Sequence, residues 1–237
     1  MRPSPVGRWP RSDQPIPIIQ QIGLSGAARL AARYPCVWHV IEADGAGPWL
    51  MQTGLLPAAE LRCCGANRGA FDRVDLGDGR AAVLRPQQMP DHRLLPTLAG
   101  AFAGRPELWR RYVDRHVFFW AEARRRDAFS RACIRLRGTG GPLPVVLAFD
   151  TAALLERHSA IAFFATINTG STVRGGARVR RDENTLRPVA DYRGGAIAEL
   201  AIRGRVELAC VDQCTAEGRG RRTLAIRRAS SGRSAPR

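Results

Sequence analysis

The chain has no lysine: all 37 basic residues are arginine, set against 21 acidic residues, for a formal charge of +16. An arginine-, alanine- and glycine-rich chain without lysine is what a GC-rich coding sequence tends to give, so its basicity alone does not point to nucleic acid. The excess is also uneven. Residues 216–237 hold seven arginines against one glutamate, and residues 1–16 hold three arginines against one aspartate, so half of it lies at the two ends. The body between them still has a field that attracts phosphate, but a solvated arginine-rich surface is the simpler reading.

Long apolar runs are missing as well. No stretch of about 18 apolar residues exists, and Met1 to Pro15 is broken by proline, arginine and aspartate, unlike a signal peptide. A cytoplasmic chain without membrane contact is expected. The six cysteines, at positions 36, 63, 64, 133, 210 and 214, include no pair with the two-residue gap of zinc ribbons and redox motifs. Reduced thiols and no metal are expected. No Gly-x-Gly-x-x-Gly follows a strand pattern, which argues against a Rossmann site.

What is present suffices for one core: 237 residues, 45% of them hydrophobic. Residues 1–16, with four prolines, read as a disordered arm, residues 17–215 as a single domain, and residues 216–237 as a disordered arginine-rich tail. Within the domain, strands are expected at 36–41, 116–120, 145–149, 161–167 and 197–202. A short helix should end near Tyr34, another should close at Gly54 as its C-cap, and a third covers 57–64. Further helices are expected at 93–102, 105–115, 122–134 and 151–157, with Glu122–Arg126 and Asp127–Arg131 pairs supporting the third of these and Asp150 capping the last. Turns fall around Asp75 to Gly79. The irregular alternation of strands and helices favours an α+β fold.

Three strings put polar side chains beside strand-forming residues: Trp38-His39-Val40-Ile41, Arg115-His116-Val117-Phe118-Phe119-Trp120 and Glu199-Leu200-Ala201-Ile202. A polar group buried without a partner costs about 1–3 kcal/mol, so each is either a satisfied core group or part of a site. Between them lie Gly54-Leu55-Leu56, Val145 to Asp150, and Phe163 to Gly170.

In this order the strings resemble the ADP-ribosyltransferase superfamily, over about residues 36–206. The nearest likenesses are to the DNA-targeting ADP-ribosyltransferase toxins and the tRNA 2′-phosphotransferases. More narrowly, the chain resembles a small bacterial family of unknown function with the same His, Gly-Leu, Phe-Phe-Trp and Glu-Leu landmarks. The superfamily's Gly-Thr after the first histidine is Val40-Ile41 here.

The resemblance implies a split antiparallel or mixed sheet with flanking helices, and NAD as substrate. It makes Glu199 the catalytic carboxylate and gives His39 a hydrogen bond to the nicotinamide-side ribose. Arg85 and Arg115 are candidates for the pyrophosphate, Phe119 and Trp120 for stacking on a ring, and Asn168 for the pocket mouth. Each has a plainer alternative: a wet strand-edge glutamate, a core imidazole, solvated arginines, core aromatics and a turn asparagine. Gln87 and Gln88 could read an amide edge or merely form a turn. The arginines of segment 169–195 suggest an acceptor-recognition loop, with a solvated linker as the alternative.

The function this implies is transfer of ADP-ribose to a nucleic-acid or protein acceptor. The competing expectations are a non-catalytic nucleic-acid-binding domain on the same fold, or an RNA 2′-phosphotransferase-like activity.

Overall fold

Ser25 accepts the Ala28 N–H at 3.2 Å and so caps α1 (Gly26–Arg33). The computed structural model describes residues 25–43, 50–63, 71–85, 89–138, 143–171, 173–174 and 177–208. The arm expected at 1–16, the tail expected at 216–237, and Gln87 and Gln88 lie outside the described residues.

After α1 the β-branched run forms β1 (Cys36–Ile41). Two short helices follow, α2 (Leu50–Thr53) and α3 (Ala58–Cys63). Gly54 does terminate α2, with φ +75°, and a Cβ there would stand 2.2 Å from the Val206 carbonyl oxygen. That approach lets Leu55 and Val206 exchange backbone hydrogen bonds of 2.8 and 2.9 Å. The turn signal at 75–79 becomes a hairpin of β2 (Asp72–Gly77) and β3 (Arg80–Leu84). Asp78 and Gly79 both take positive φ at its tip, as a right-twisted two-residue turn requires.

The helix expected at 93–102 is a correction. The chain forms α4 (Asp91–Leu94) and two separate 3-10 turns at 95–97 and 100–102. Between them the Thr97 carbonyl and the Ala99 N–H bond instead to the backbone of Arg181, which pulls the segment out of helical pairing. α5 (Pro106–Val113), β4 (His116–Trp120) and α6 (Ala123–Arg137) then follow. Glu122 stands in extended conformation ahead of α6 and pairs with Arg124 and Arg125 rather than with Arg126.

Next come β5 (Val145–Asp150), α7 (Thr151–His158) and β6 (Ala162–Ala165). Asp150 caps α7 through the Ala153 N–H at 2.8 Å. Two-residue strands β7 (Val173–Arg174), β8 (Ala177–Arg178) and β9 (Arg187–Pro188) precede β10 (Glu199–Arg203).

The fold is α+β, built on a six-stranded sheet in the order β5-β1-β4-β10-β6-β9 with every pairing antiparallel. One sheet face buries Val37, Phe119, Phe149, Leu200 and Ile202 against α1 and α7. Each such fully buried side chain contributes about 1.5–3 kcal/mol, so a slip in register that exposed this face would be costly. The other face carries β4 and β10 residues of opposite parity, and α5, α6 and the β2–β3 hairpin stand over it around a cavity.

Candidate active site

Register decides which side chains reach that cavity. Trp38 is paired with Trp120, Trp120 with Glu199, and Glu199 with Ala165, so the four share one row and one face, and Trp120 and Glu199 of that row line the cavity. The β1–β4 ladder has Trp38–Trp120 as its registered pair, whereas β1 pairs with β5 along its whole length. Near that point His39 bonds to Phe118 instead, its Nδ1 lying 2.7 Å from the carbonyl oxygen. An imidazole nitrogen facing a carbonyl must carry the proton, so Nδ1–H donates. Nε2 is left as a lone pair.

The cavity has a volume of about 520 Å³, and His39, Arg85, Trp120, Asn168 and Glu199 all line it. Glu199 is 4% exposed, and the Thr169 N–H donates to its Oε2 at 3.0 Å. Burial pushes its carboxyl up to about 7, against the Thr169 hydrogen bonds and the fields of Arg125 and Arg181, which favour the charged form. His39 moves the other way. Burial lowers it to about 4 despite its bond to Phe118, and the nearby Arg85 adds to the effect. Near neutral pH the cavity therefore holds a neutral imidazole and a carboxyl that exchanges its proton readily.

Asn168 has a dual part. Its Oδ1 accepts the Gly170 N–H at 2.7 Å and its carbonyl accepts the Ser171 N–H at 3.1 Å, which makes the turn that carries Thr169. Trp120 packs against Phe129 of α6, with ring centroids 5.1 Å apart. Arg85 is already committed: Nε donates to Glu42 at 2.7 Å, another guanidinium nitrogen donates to the Val40 carbonyl at 2.7 Å, and the group lies 4.9 Å from the Phe129 ring centre. Glu42, with a side chain 0% exposed, also takes Arg137 at 2.7 Å.

Two expected site residues are not brought there. Phe119 is 0% exposed and stacks edge-on against Phe149 in the opposite face, because strand alternation gives it the parity of the core. Arg115 is exposed ahead of β4 and does not line the cavity, and its carbonyl accepts the Gly204 N–H at 2.8 Å. In the arginine-rich segment Arg181 alone of the described arginines is buried, at 0% exposed, whereas Arg178, Arg180, Arg187 and Arg193 are exposed, Arg187 lying over the Phe164 ring at 5.3 Å.

The sequence assigns no site role to His116, Glu42 or Thr169, although His116 stands in one of the three strings. His116 is buried on the cavity wall, its Nδ1 donating to the Tyr112 carbonyl at 3.0 Å, and burial holds it near 4. Its place in the same strand string as Trp120, two and four residues apart from Phe118 and Trp120, was a signal for a shared face. Glu42, closing the run after Ile41, carried no comparable signal.

Among the described residues, no group of three or more His, Cys, Asp or Glu is placed to hold a metal, and Cys133 is a buried free thiol. No helix there is long and apolar enough to cross a membrane. No curated protein matches the chain in sequence. Residues 35–210, from the start of β1 to beyond β10 and so across the whole cavity, match DUF7002, a family of unknown function, and the chain belongs to that family.

Proposed function

We propose that this chain transfers ADP-ribose from NAD to a nucleic-acid or protein acceptor on an ADP-ribosyltransferase-like fold, with Glu199 as the catalytic carboxylate and His39 orienting the ribose. The observation that carries the reading is the meeting of Glu199, His39 and Trp120 in one cavity beside the β1–β4 junction. They come from the first, middle and last strands of the resemblance, and nothing in their sequence separation requires that they meet.

The chemistry suits the groups. As the bond between nicotinamide and the ribose anomeric carbon breaks, its electron pair leaves with nicotinamide and an oxocarbenium-like centre develops. The acceptor then bonds to that carbon and gives up a proton. A carboxyl with a pKa of about 7 can take that proton near neutrality, and its ionised form stabilises the developing cation in a site of low dielectric. The His39 Nε2 lone pair is suited to accept from a ribose hydroxyl. Trp120 offers a ring face, and Arg85 gives the cavity wall positive character although two of its nitrogens are held by Glu42 and Val40.

A binding module without chemistry has no need of a buried carboxylate. Glu199 lies inside the cavity rather than on the wet edge of the sheet, which favours the enzyme reading. The test is release of nicotinamide from NAD by the wild-type chain and by Glu199→Ala, together with calorimetric NAD binding. Turnover should fall by about 10²-fold or more in the variant. Equal turnover in the two proteins, or no NAD binding by the wild type, sinks the proposal.

A further inference from the structure

We infer that Arg181 is a positioning residue, holding the turn at 168–171 so that the Thr169 donors lie on Glu199. The inference rests on Glu199 being the working carboxylate of the site.

A guanidinium has five N–H donors in one plane, and Arg181 uses them all within protein. Nε donates to the Thr169 carbonyl at 3.3 Å. One terminal nitrogen donates to the Thr169 carbonyl at 3.3 Å and to the Ser171 carbonyl, and the other to Thr97 Oγ1 at 3.1 Å and to the Val179 carbonyl at 3.0 Å. The acceptors are three carbonyls and a hydroxyl. A buried cation is ordinarily neutralised by a directly bonded acid, because leaving it unpaired is costly. Arg181 instead spends its fork on the two ends of the turn that bears Thr169, and Glu199 is the acid whose charge it feels.

The far side of the clamp is fixed independently. The Arg181 N–H donates to the Thr97 carbonyl at 2.7 Å, and its carbonyl accepts the Ala99 N–H at 2.8 Å. The Thr97 hydroxyl in turn donates to the Leu94 carbonyl at 2.7 Å. The Trp109 ring of α5 lies 5.9 Å from the guanidinium. Segment 94–99 therefore anchors Arg181, Arg181 anchors Thr169 and Ser171, and Thr169 meets Glu199. Lysine could keep the charge there but could not bridge the turn, since its single ammonium cannot span the same acceptors.

The charged and titratable groups around Glu199 are Arg125 from α6, Arg181 itself, and His39 from β1 on the same cavity wall. The experiment follows the Glu199 side-chain carboxyl by carbon-13 NMR through a pH titration of the full chain, with Glu199→Gln assigning the signal. In Arg181→Lys the positive charge remains, so a change reports the lost clamp. Its midpoint should rise by about 0.5–1 pH unit as the Thr169 donors drift away, and the Thr169 amide should exchange faster with solvent. Thr97→Val, which removes one anchor of the clamp, should move both readouts the same way by less.

An unchanged midpoint and unchanged Thr169 exchange in a folded Arg181→Lys chain overturn the inference. If that variant does not fold, Thr97→Val decides alone by the same two readouts. Neither measurement involves NAD, so absence of NAD turnover would defeat the proposed activity without touching the clamp. Where turnover is present, Arg181→Lys should lower kcat with KM largely kept.

Discussion

Trp120 and Glu199 face each other directly across the β4–β10 ladder, so the carboxylate's place in the cavity is a matter of register rather than of its own side-chain conformation. A slip of one residue would turn Glu199 into the packed face and Leu200 into the cavity. The five registered pairs between those strands, with Phe119, Leu200 and Ile202 buried on the opposite face, prevent it.

The raised Glu199 pKa makes stability depend on pH in a definite direction. Its ordinary value is 4.5 and its value in the fold about 7, so the folded chain holds this proton more tightly than the unfolded chain does. That contribution is present below pH 4.5 and is lost as pH rises through 7. Glu199→Gln cannot ionise, so relative to wild type it should gain stability between pH 5 and pH 8, by about 3 kcal/mol at most. Urea denaturation of both proteins at the two pH values measures it. A constant difference between them would mean that the carboxyl is not held protonated.

His39 and His116 should act in the opposite sense. Burial lowers both from 6.5 to about 4, so the unfolded chain takes up protons first as the solution is acidified. Their contribution is intact above pH 6.5 and is lost as pH falls through 4. Proton NMR of the two rings should give midpoints near 4. A His39 midpoint at or above 6.5 would contradict the buried, neutral ring that donates to Phe118.

Glu42 sits between two arginines with no exposed side-chain surface, and removing it takes a buried carboxylate from both guanidinium groups. Glu42→Ala should cost about 3–5 kcal/mol, as loss of one partner from a buried ion pair generally does. Thermal or urea unfolding reads the effect. A loss below about 1 kcal/mol would show that Arg85 and Arg137 find water or other partners easily.

Much of this architecture is legible in the chain because β-branched and aromatic runs have few other uses. The strands around His39, His116 and Val145 fall at or within a residue of their expected bounds, and Gly54 and Asp150 cap the helices they should. Segment 93–102 departs from the single helix its pattern predicts because that pattern competes with Arg181, a residue far along the chain whose backbone takes the Thr97 carbonyl and holds the Ala99 N–H. Arg181 itself was hidden among other arginines. Composition marks such a segment as solvated, and nothing local says which guanidinium will turn inward. Phe119 and Trp120 show the same limit on a smaller scale: adjacent aromatics read alike in sequence, and the pleat sends one to the core and the other to the cavity. Register is a long-range property, visible only once the partner strands are paired.

The strand order has a consequence for how the molecule comes into being. β10 is the last strand of the sheet to be synthesised, yet it lies between β4 and β6, which no other strand joins. Without residues 199–203 no ladder joins β5-β1-β4 to β6-β9, and the edges of β4 and β6 that β10 covers have no partner in the sheet. Pairings of such large sequence separation are slow to form, and open strand edges invite association with other chains in the meantime. The strand that brings Glu199 also closes this gap, so no fragment ending before residue 199 has either the carboxylate or the continuous sheet that frames it.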